Sequence, residues 1–270
     1  LTETKEQASV LTGLMVAGFT SKEEAVNQLL QIKGSNSTDL GKNLYPQLPL
    51  EEKKKLLRFF GNFPVEVEKF DITAYKNDEL VKIVSDNTER YGIGPLADLR
   101  TKDAVTRPLV EDDGSSYDWT FDRMPKQKVD SYIKSLFGVV PNNVSKNYYE
   151  NGSYYFPVWE AGGGSKDSPQ IEKMIGLGNG LHYIEMARYE VEMKEYDYKQ
   201  WKSFGDFQYT PMENWSSAVK ANIMTYDKTN WHAIIRETNV NGITGWNLVK
   251  YHKGTKLTKT ELDNYIKKLK

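Results

Sequence analysis

The stretch "IEKMIGLGNGLHYIEMARYEVEM", residues 171–193, decides how this chain is read. Two strand-like arms flank Gly178-Asn179-Gly180. Glycine and asparagine tolerate the positive φ angles of a tight hairpin turn, so the arms pair antiparallel. Downstream, "SAVKANIMTYDKTNWHAIIRETNVNGITGWNLVKYHK" (217–253) continues in the same style. It reads as three strands, with turns at Asp227 to Asn230 and at Asn241-Gly242. Upstream, "NYYENGSYYFPVW" (147–159) places Asn151-Gly152 between two aromatic runs and reads as another hairpin.

Helices bracket these strands. "MPKQKVDSYIKSLFG" (124–138) carries Val129, Tyr132, Ile133, Leu136 and Phe137 at helical spacing, with Gly138 as its stop. "TKTELDNYIKKL" (258–269) opens on a Thr258/Glu261 capping box and buries Leu262, Tyr265, Ile266 and Leu269. The two share a "DxYIKxL" core, but their flanks do not align, so they read as convergent amphipathic helices rather than a duplication. The first 62 residues also read helical: "TKEQASVLTGLMVAGF", "TSKEEAVNQLLQIKG" and "LPLEEKKKLLRFFG". "FPVEVEKFDITAY" (63–75) alternates as a strand. "NDELVKIVSDNTERYG" (77–92) reads as a short helix. "GIGPLADLRTKDAVTRPLVEDDGSSYDW" (92–119) reads as a long irregular loop, the natural place for function.

No strand–helix–strand alternation appears, so a parallel sheet is not expected. The fold class is α+β, with a helical segment over 1–62 and a domain with a curved antiparallel sheet and packed helices over 63–270. By analogy only, such sheets resemble cystatin-like or NTF2-like folds.

Composition removes several chemistries. The 270 residues contain no cysteine, which excludes disulfides, thiolate metal sites and thiol nucleophiles. Lysine plus arginine (36) balance aspartate plus glutamate (37), so nothing marks a nucleic-acid binder. No apolar run reaches the length of a membrane span. His182, His232 and His252 have no metal-binding spacing, and no nucleophile motif is present. "GGGSKDS" (162–168) lacks the P-loop pattern. "VEDDGSSYDW" (110–119) lacks the register of a calcium loop. No cofactor or metal is expected.

What remains is a set of acid–aromatic neighbours. "SYYFPVWEAGGGSKDSPQ" (153–170) reads as a hairpin arm that stops at Pro157 and gives way to a glycine-rich connection before Ile171. Trp159 and Glu160 stand where that arm ends, Tyr154 and Phe156 stand within it, and Asp118 and Trp119 form a second pair. These six are the candidate binding residues, because aromatic rings beside carboxylates suit sugar recognition. A carboxylate pair for glycoside hydrolysis is the alternative.

The run from "VDSYIKSLFG" through "ENGSYYFPVWEAGGG" and "LGNGLHYIEMARYEV" to "GWNLVKYHK", about residues 125–253, resembles uncharacterised exported lipoproteins of Gram-positive bacteria. In that group a lipid-anchored cysteine and a short linker precede an α+β domain. The resemblance implies an extracellular, membrane-anchored protein of the cell envelope, its anchor lying upstream of Leu1, with an envelope protein or glycan as partner. It brings no catalytic residues. The expected function is therefore a binding domain without catalysis, the alternative being a hydrolase of an envelope polymer.

Overall fold

In the computed structural model the described residues are 42–63, 67–89, 94–100, 102–110, 113–158, 165–193, 207–240 and 243–269. The two helices expected before residue 42, and the Asn241-Gly242 turn, lie outside them.

Two antiparallel sheets and five helices make up the described chain. The larger sheet orders its strands β1 (Lys69–Asp71), β9 (Ile243–Lys253), β8 (Ile223–Val240), β7 (Leu181–Met193) and β6 (Ser165–Gly178). It curls as a half-barrel. The smaller sheet runs β2 (Ala104–Val110), β3 (Ser116–Pro125), β5 (Ser153–Pro157) and β4 (Tyr149–Glu150). The helices are α1 (Leu50–Gly61), α2 (Asn77–Glu89), α3 (Lys126–Phe137), α4 (Ser217–Asn222) and α5 (Lys259–Lys268). The α+β class with a curved antiparallel sheet is thus the observed architecture. Among the described residues, no helix is long and apolar enough to cross a membrane.

The periodic segments fold as their patterns dictate. The stripe of α3 is buried, and Gly138 caps it at φ 75°. A Cβ on Gly138 would stand 2.8 Å from Asn247 Oδ1, and Asn247 in turn donates to Ser135 O at 3.0 Å. Helix end and strand β9 are thereby locked together. Thr258 and Glu261 form both bonds of the capping box on α5. The β6–β7 turn takes positive φ at Gly178, Asn179 and Gly180.

Besides the supposed connection before Ile171, which is strand β6 from Ser165 onward, three segments depart from expectation. The supposed loop 92–119 contains the hairpin β2–β3. Its alternation is disguised because Arg107 occupies a half-buried position between Val105 and Leu109. Backbone bonds Arg123 N to Asp103 O and Val158 N to Thr120 O fix the ladder phase, so Val105, Arg107 and Leu109 bond β3 while Pro108 faces the open edge. Its missing N–H costs no ladder bond there and blunts that edge. Second, Asp227 to Asn230 make no turn. They continue β8, paired with Glu190 to Ala187 on β7. Third, the start of the supposed strand at Ser217 is α4.

One continuous core joins α1, α2 and α3 to the concave side of the larger sheet and the inner face of the smaller one. At its centre Arg188 of β7 is 2% exposed. Its guanidinium donates to Phe63 O at 2.6 Å, to Phe60 O at 3.4 Å and to the Tyr251 hydroxyl at 2.5 Å, and pairs with Asp167 of β6 through two nitrogens. Burial disfavours the charge, but Tyr251 and Asp167 outweigh it. A second cluster lies on the opposite side of the larger sheet, where α5 covers Ile175, Leu181, Tyr183, Ile234 and Val249 with Leu262 and Tyr265. Removing one partner from a desolvated ion pair strands the other. Arg188→Ala is therefore expected to lower the unfolding free energy by about 3–5 kcal/mol in urea titration. Asp167→Asn should cost at least as much, because it leaves the guanidinium, 2% exposed, without its counter-charge.

Candidate functional site

The smaller sheet carries the chemistry, and strand β3 distributes it. Successive side chains on a strand point to opposite faces. Tyr117, Trp119, Phe121 and Arg123 share the outer face, while Asp118, Thr120, Asp122 and Met124 share the inner one. Asp118 and Trp119, neighbours in sequence, are thus on opposite sides of the sheet.

The outer face is an aromatic strip. Tyr117 and Trp119 meet edge to face, with ring centroids 5.8 Å apart. Trp119 donates its indole N–H to Val158 O at 2.9 Å, which fixes the ring's orientation. Arg107 lies across from Trp119 in the register. Its guanidinium carbon sits 3.9 Å from the Tyr155 ring centroid and 5.6 Å from that of Phe121. Arg107 Nη2 donates to Lys146 O at 3.0 Å, so the cation is both stacked and tethered. Beyond this point the hairpin leaves the core. Thr106, Pro108, Asp118 and Thr120 are exposed, Tyr117 is 43% exposed and Val110 is 44% exposed. Of these, Tyr117 alone belongs to the outer strip, and Trp119 beside it is half-buried, so the strip reaches solvent at Tyr117.

The inner face turns polar where it meets α2. Glu89 closes that helix, and Asp122 stands directly across from Phe156. Glu89 and Asp122 are both fully buried. Written as carboxylates, Glu89 Oε1 and both Asp122 oxygens are buried acceptors without a donor. A proton held by Glu89 supplies one. Burial, then the negative charge of Asp122, pushes the Glu89 carboxyl up to about 8, while Arg100, 3.4 Å from Glu89 Oε2, pulls the other way. At neutral pH Glu89 keeps its proton and donates it toward Asp122. A sealed pair of this kind can store a proton. It is out of reach of a polymer substrate.

The six sequence candidates fare differently. Trp159 and Glu160 lie outside the described residues. Tyr154 is 1% exposed, its hydroxyl donating to Asp130 Oδ1 at 2.8 Å, and Phe156 is fully buried. Both rings belong to the main core. Trp119 is half-buried on the outer face and Asp118 exposed on the inner one. Four side chains that the sequence groups together are thus spread over two faces and two environments. The residues passed over are Arg107 and Tyr155, whose stacking depends on strand pairing, and Glu89 and Asp122, which no local motif distinguishes from surface acids.

The fold also gathers two of the three histidines. His232 and His252 lie across from each other in the register, ring centroids 5.2 Å apart. Among the described residues, no group of three or more histidine, aspartate or glutamate side chains could hold a metal ion.

No family model, no curated protein and no solved structure matches this chain.

The acid pair gives a stability signature whose sign is fixed. The folded state holds a Glu89 proton that the unfolded chain releases near its ordinary value of 4.5. Stability contributed by that proton is complete below that value and falls as pH rises towards about 8. Urea titrations at pH 5 and pH 8 should therefore show a loss of about 2–4 kcal/mol across the interval from this group, and Glu89→Gln should remove it.

Proposed function

We propose that this protein is a non-catalytic binding domain of the Gram-positive cell envelope, and that it holds a glycan on the outer face of its smaller sheet. The observation that carries this reading is the aromatic strip of Tyr117 and Trp119, displayed on a hairpin that extends past the core. Aromatic faces carry a partial negative charge, and the C–H-lined faces of sugar rings are complementary to it. The Trp119 indole is held in place by Val158, so little rotamer freedom is lost when a sugar stacks on it. Arg123 at the core end of the same face, its side chain 48% exposed, offers hydrogen-bond donors to hydroxyl or acidic groups.

An exported, lipid-anchored location is part of the proposal. It rests on the resemblance over residues 125–253 and on the absence of cysteine. The competing hydrolase reading needs an accessible carboxylate pair. The acids that the fold brings into contact, Glu89 and Asp122, are fully buried, which favours binding over cleavage.

Co-sedimentation with insoluble cell-wall polysaccharide tests the proposal. The wild type should pellet with the polymer, and the Tyr117→Ala/Trp119→Ala double variant should lose at least about tenfold in retention, since each lost stacking contact is worth about 0.5–1.5 kcal/mol beyond its buried area. Its circular dichroism should match the wild type. Equal retention of the double variant would remove the strip from the site, and release of new reducing ends from the polymer would favour the hydrolase.

A further inference from the structure

A row of titratable side chains crosses the whole larger sheet. In register, from edge to edge, it runs Lys69 on β1, His252 on β9, His232 on β8, Glu185 on β7 and Lys173 on β6. The row lies on the side of the sheet that α5 covers, beside the apolar patch beneath that helix. His232 is 3% exposed.

The tautomer of His232 follows from its partners. Nε2 lies 2.6 Å from Gly254 O, and a carbonyl only accepts, so Nε2 carries the proton. Nδ1 then accepts, and it takes the hydroxyl proton of Tyr183 at 3.0 Å. The Tyr183 oxygen accepts from Leu257 N–H at 3.2 Å. One chain of hydrogen bonds thus clips both Gly254 and Leu257 to the sheet. These residues form the connection from β9 to the Thr258 cap of α5.

This chain works only while the imidazole is neutral. A proton on Nδ1 sets a donor against the Tyr183 hydroxyl, whose own proton then loses its acceptor. The charge also has poor company. His252 is 5.2 Å away, and its buried Nε2 has no partner. Lys256 sits on the connection itself, engaged by Glu185 of β7 at 2.5 Å. Lys250 of β9 is engaged by Asp71 of β1 at 3.0 Å. Glu172 of β6 pairs with Lys228, and Glu261 of α5 is taken up by the Thr258 cap. The acids facing the two rings are therefore already committed. Burial pushes both imidazoles below their ordinary value, and for His252 the neighbouring His232 adds to it.

We propose that His232, Tyr183 and His252 form an acid-sensitive latch that holds the Gly254–Thr258 connection and helix α5 over the apolar patch of the larger sheet. Protonation below the ordinary histidine range undoes the clip, lets α5 swing away, and exposes the patch. Each pH unit below the midpoint weakens the latch about tenfold.

Hydrogen exchange of the full chain tests this. Protection factors, corrected for the intrinsic pH dependence of exchange, should fall about tenfold or more for amides of residues 259–268 between pH 7 and pH 5. Amides of β7 and β8 should stay protected. His232→Gln should abolish this pH dependence, whatever its absolute protection. If that variant exchanges throughout, the wild-type ring titration followed by NMR decides instead: the His232 midpoint must lie below 6.5 and coincide with the loss of protection in α5. Unchanged wild-type protection between pH 7 and 5, a His232→Gln variant that keeps the wild-type dependence, or a His232 midpoint separate from the release of α5 would each overturn the latch.

Discussion

The buried guanidinium of Arg188 is the constraint around which the larger sheet and the first described helix are arranged. A cation removed from water must be fully coordinated, and its partners come from three separate parts of the chain. Two are the carbonyls of Phe60 and Phe63 at the end of α1, where the helix dipole places partial negative charge. The third is the carboxylate of Asp167, which explains why β6 extends back to Ser165. The fourth is the hydroxyl of Tyr251 on β9, reached across Trp231, whose ring stacks on that of Tyr251 at 4.9 Å. A hydrophobic contact would tolerate a shift of α1 by a residue. This coordination would not, because no other pair of carbonyls on that helix ends at the same point. Arg188 thus sets the register of packing more than it adds to stability.

Against that fixed body, the smaller sheet divides its labour between two faces. The inner face seals two carboxyl groups against α2 and must keep a proton to do so. Burial on the outer face centres on Phe121, Tyr155 and Pro157, with Arg107 and Trp119 half-buried beside them. The distal hairpin is therefore free to carry residues chosen for contact rather than for folding. Pro108 on its open edge discourages pairing with another strand. That leaves the side-chain face, rather than the backbone edge, as the surface on offer.

Much of the fold was legible because its signals were local. The helical stripe of α3, the capping box of α5 and the Asn151-Gly152 and Gly178-Asn179-Gly180 turns each fit within a dozen residues. The misread segments are those in which the partner strand decides. Arg107 breaks the alternation of β2 on paper, yet it holds a half-buried position because its guanidinium stacks on the Tyr155 ring. Asp227 to Asn230 carry turn-forming residues, but β7 pairs with all four of them and holds the strand straight. The site was less legible for the same reason. Adjacency of Asp118 and Trp119 suggested cooperation, whereas the strand period of two separates them. Convergence of His232, His252 and Glu185 is a product of register alone, and no spacing along the chain encodes it.

The two ends of α5 are held by chemistry of opposite pH response. Near its C-terminus, the Tyr265 hydroxyl donates to Asp71 Oδ1 at 2.7 Å, and Asp71 also takes bonds from Thr73 and Lys250. Those bonds outweigh burial and lower the Asp71 carboxyl to about 2, so this anchor is present above the ordinary carboxylate range and lost only as pH falls towards 2. Near its N-terminus the anchor is the neutral His232 chain, which fails at far milder acidity. Between the two thresholds the helix is tethered at one end only. Opening then proceeds from Gly254 and uncovers the patch progressively, with Tyr265 as the pivot. A sheet that curls around its main core on one side can in this way keep a removable cover on the other, because the two hydrophobic clusters are separated by the sheet itself.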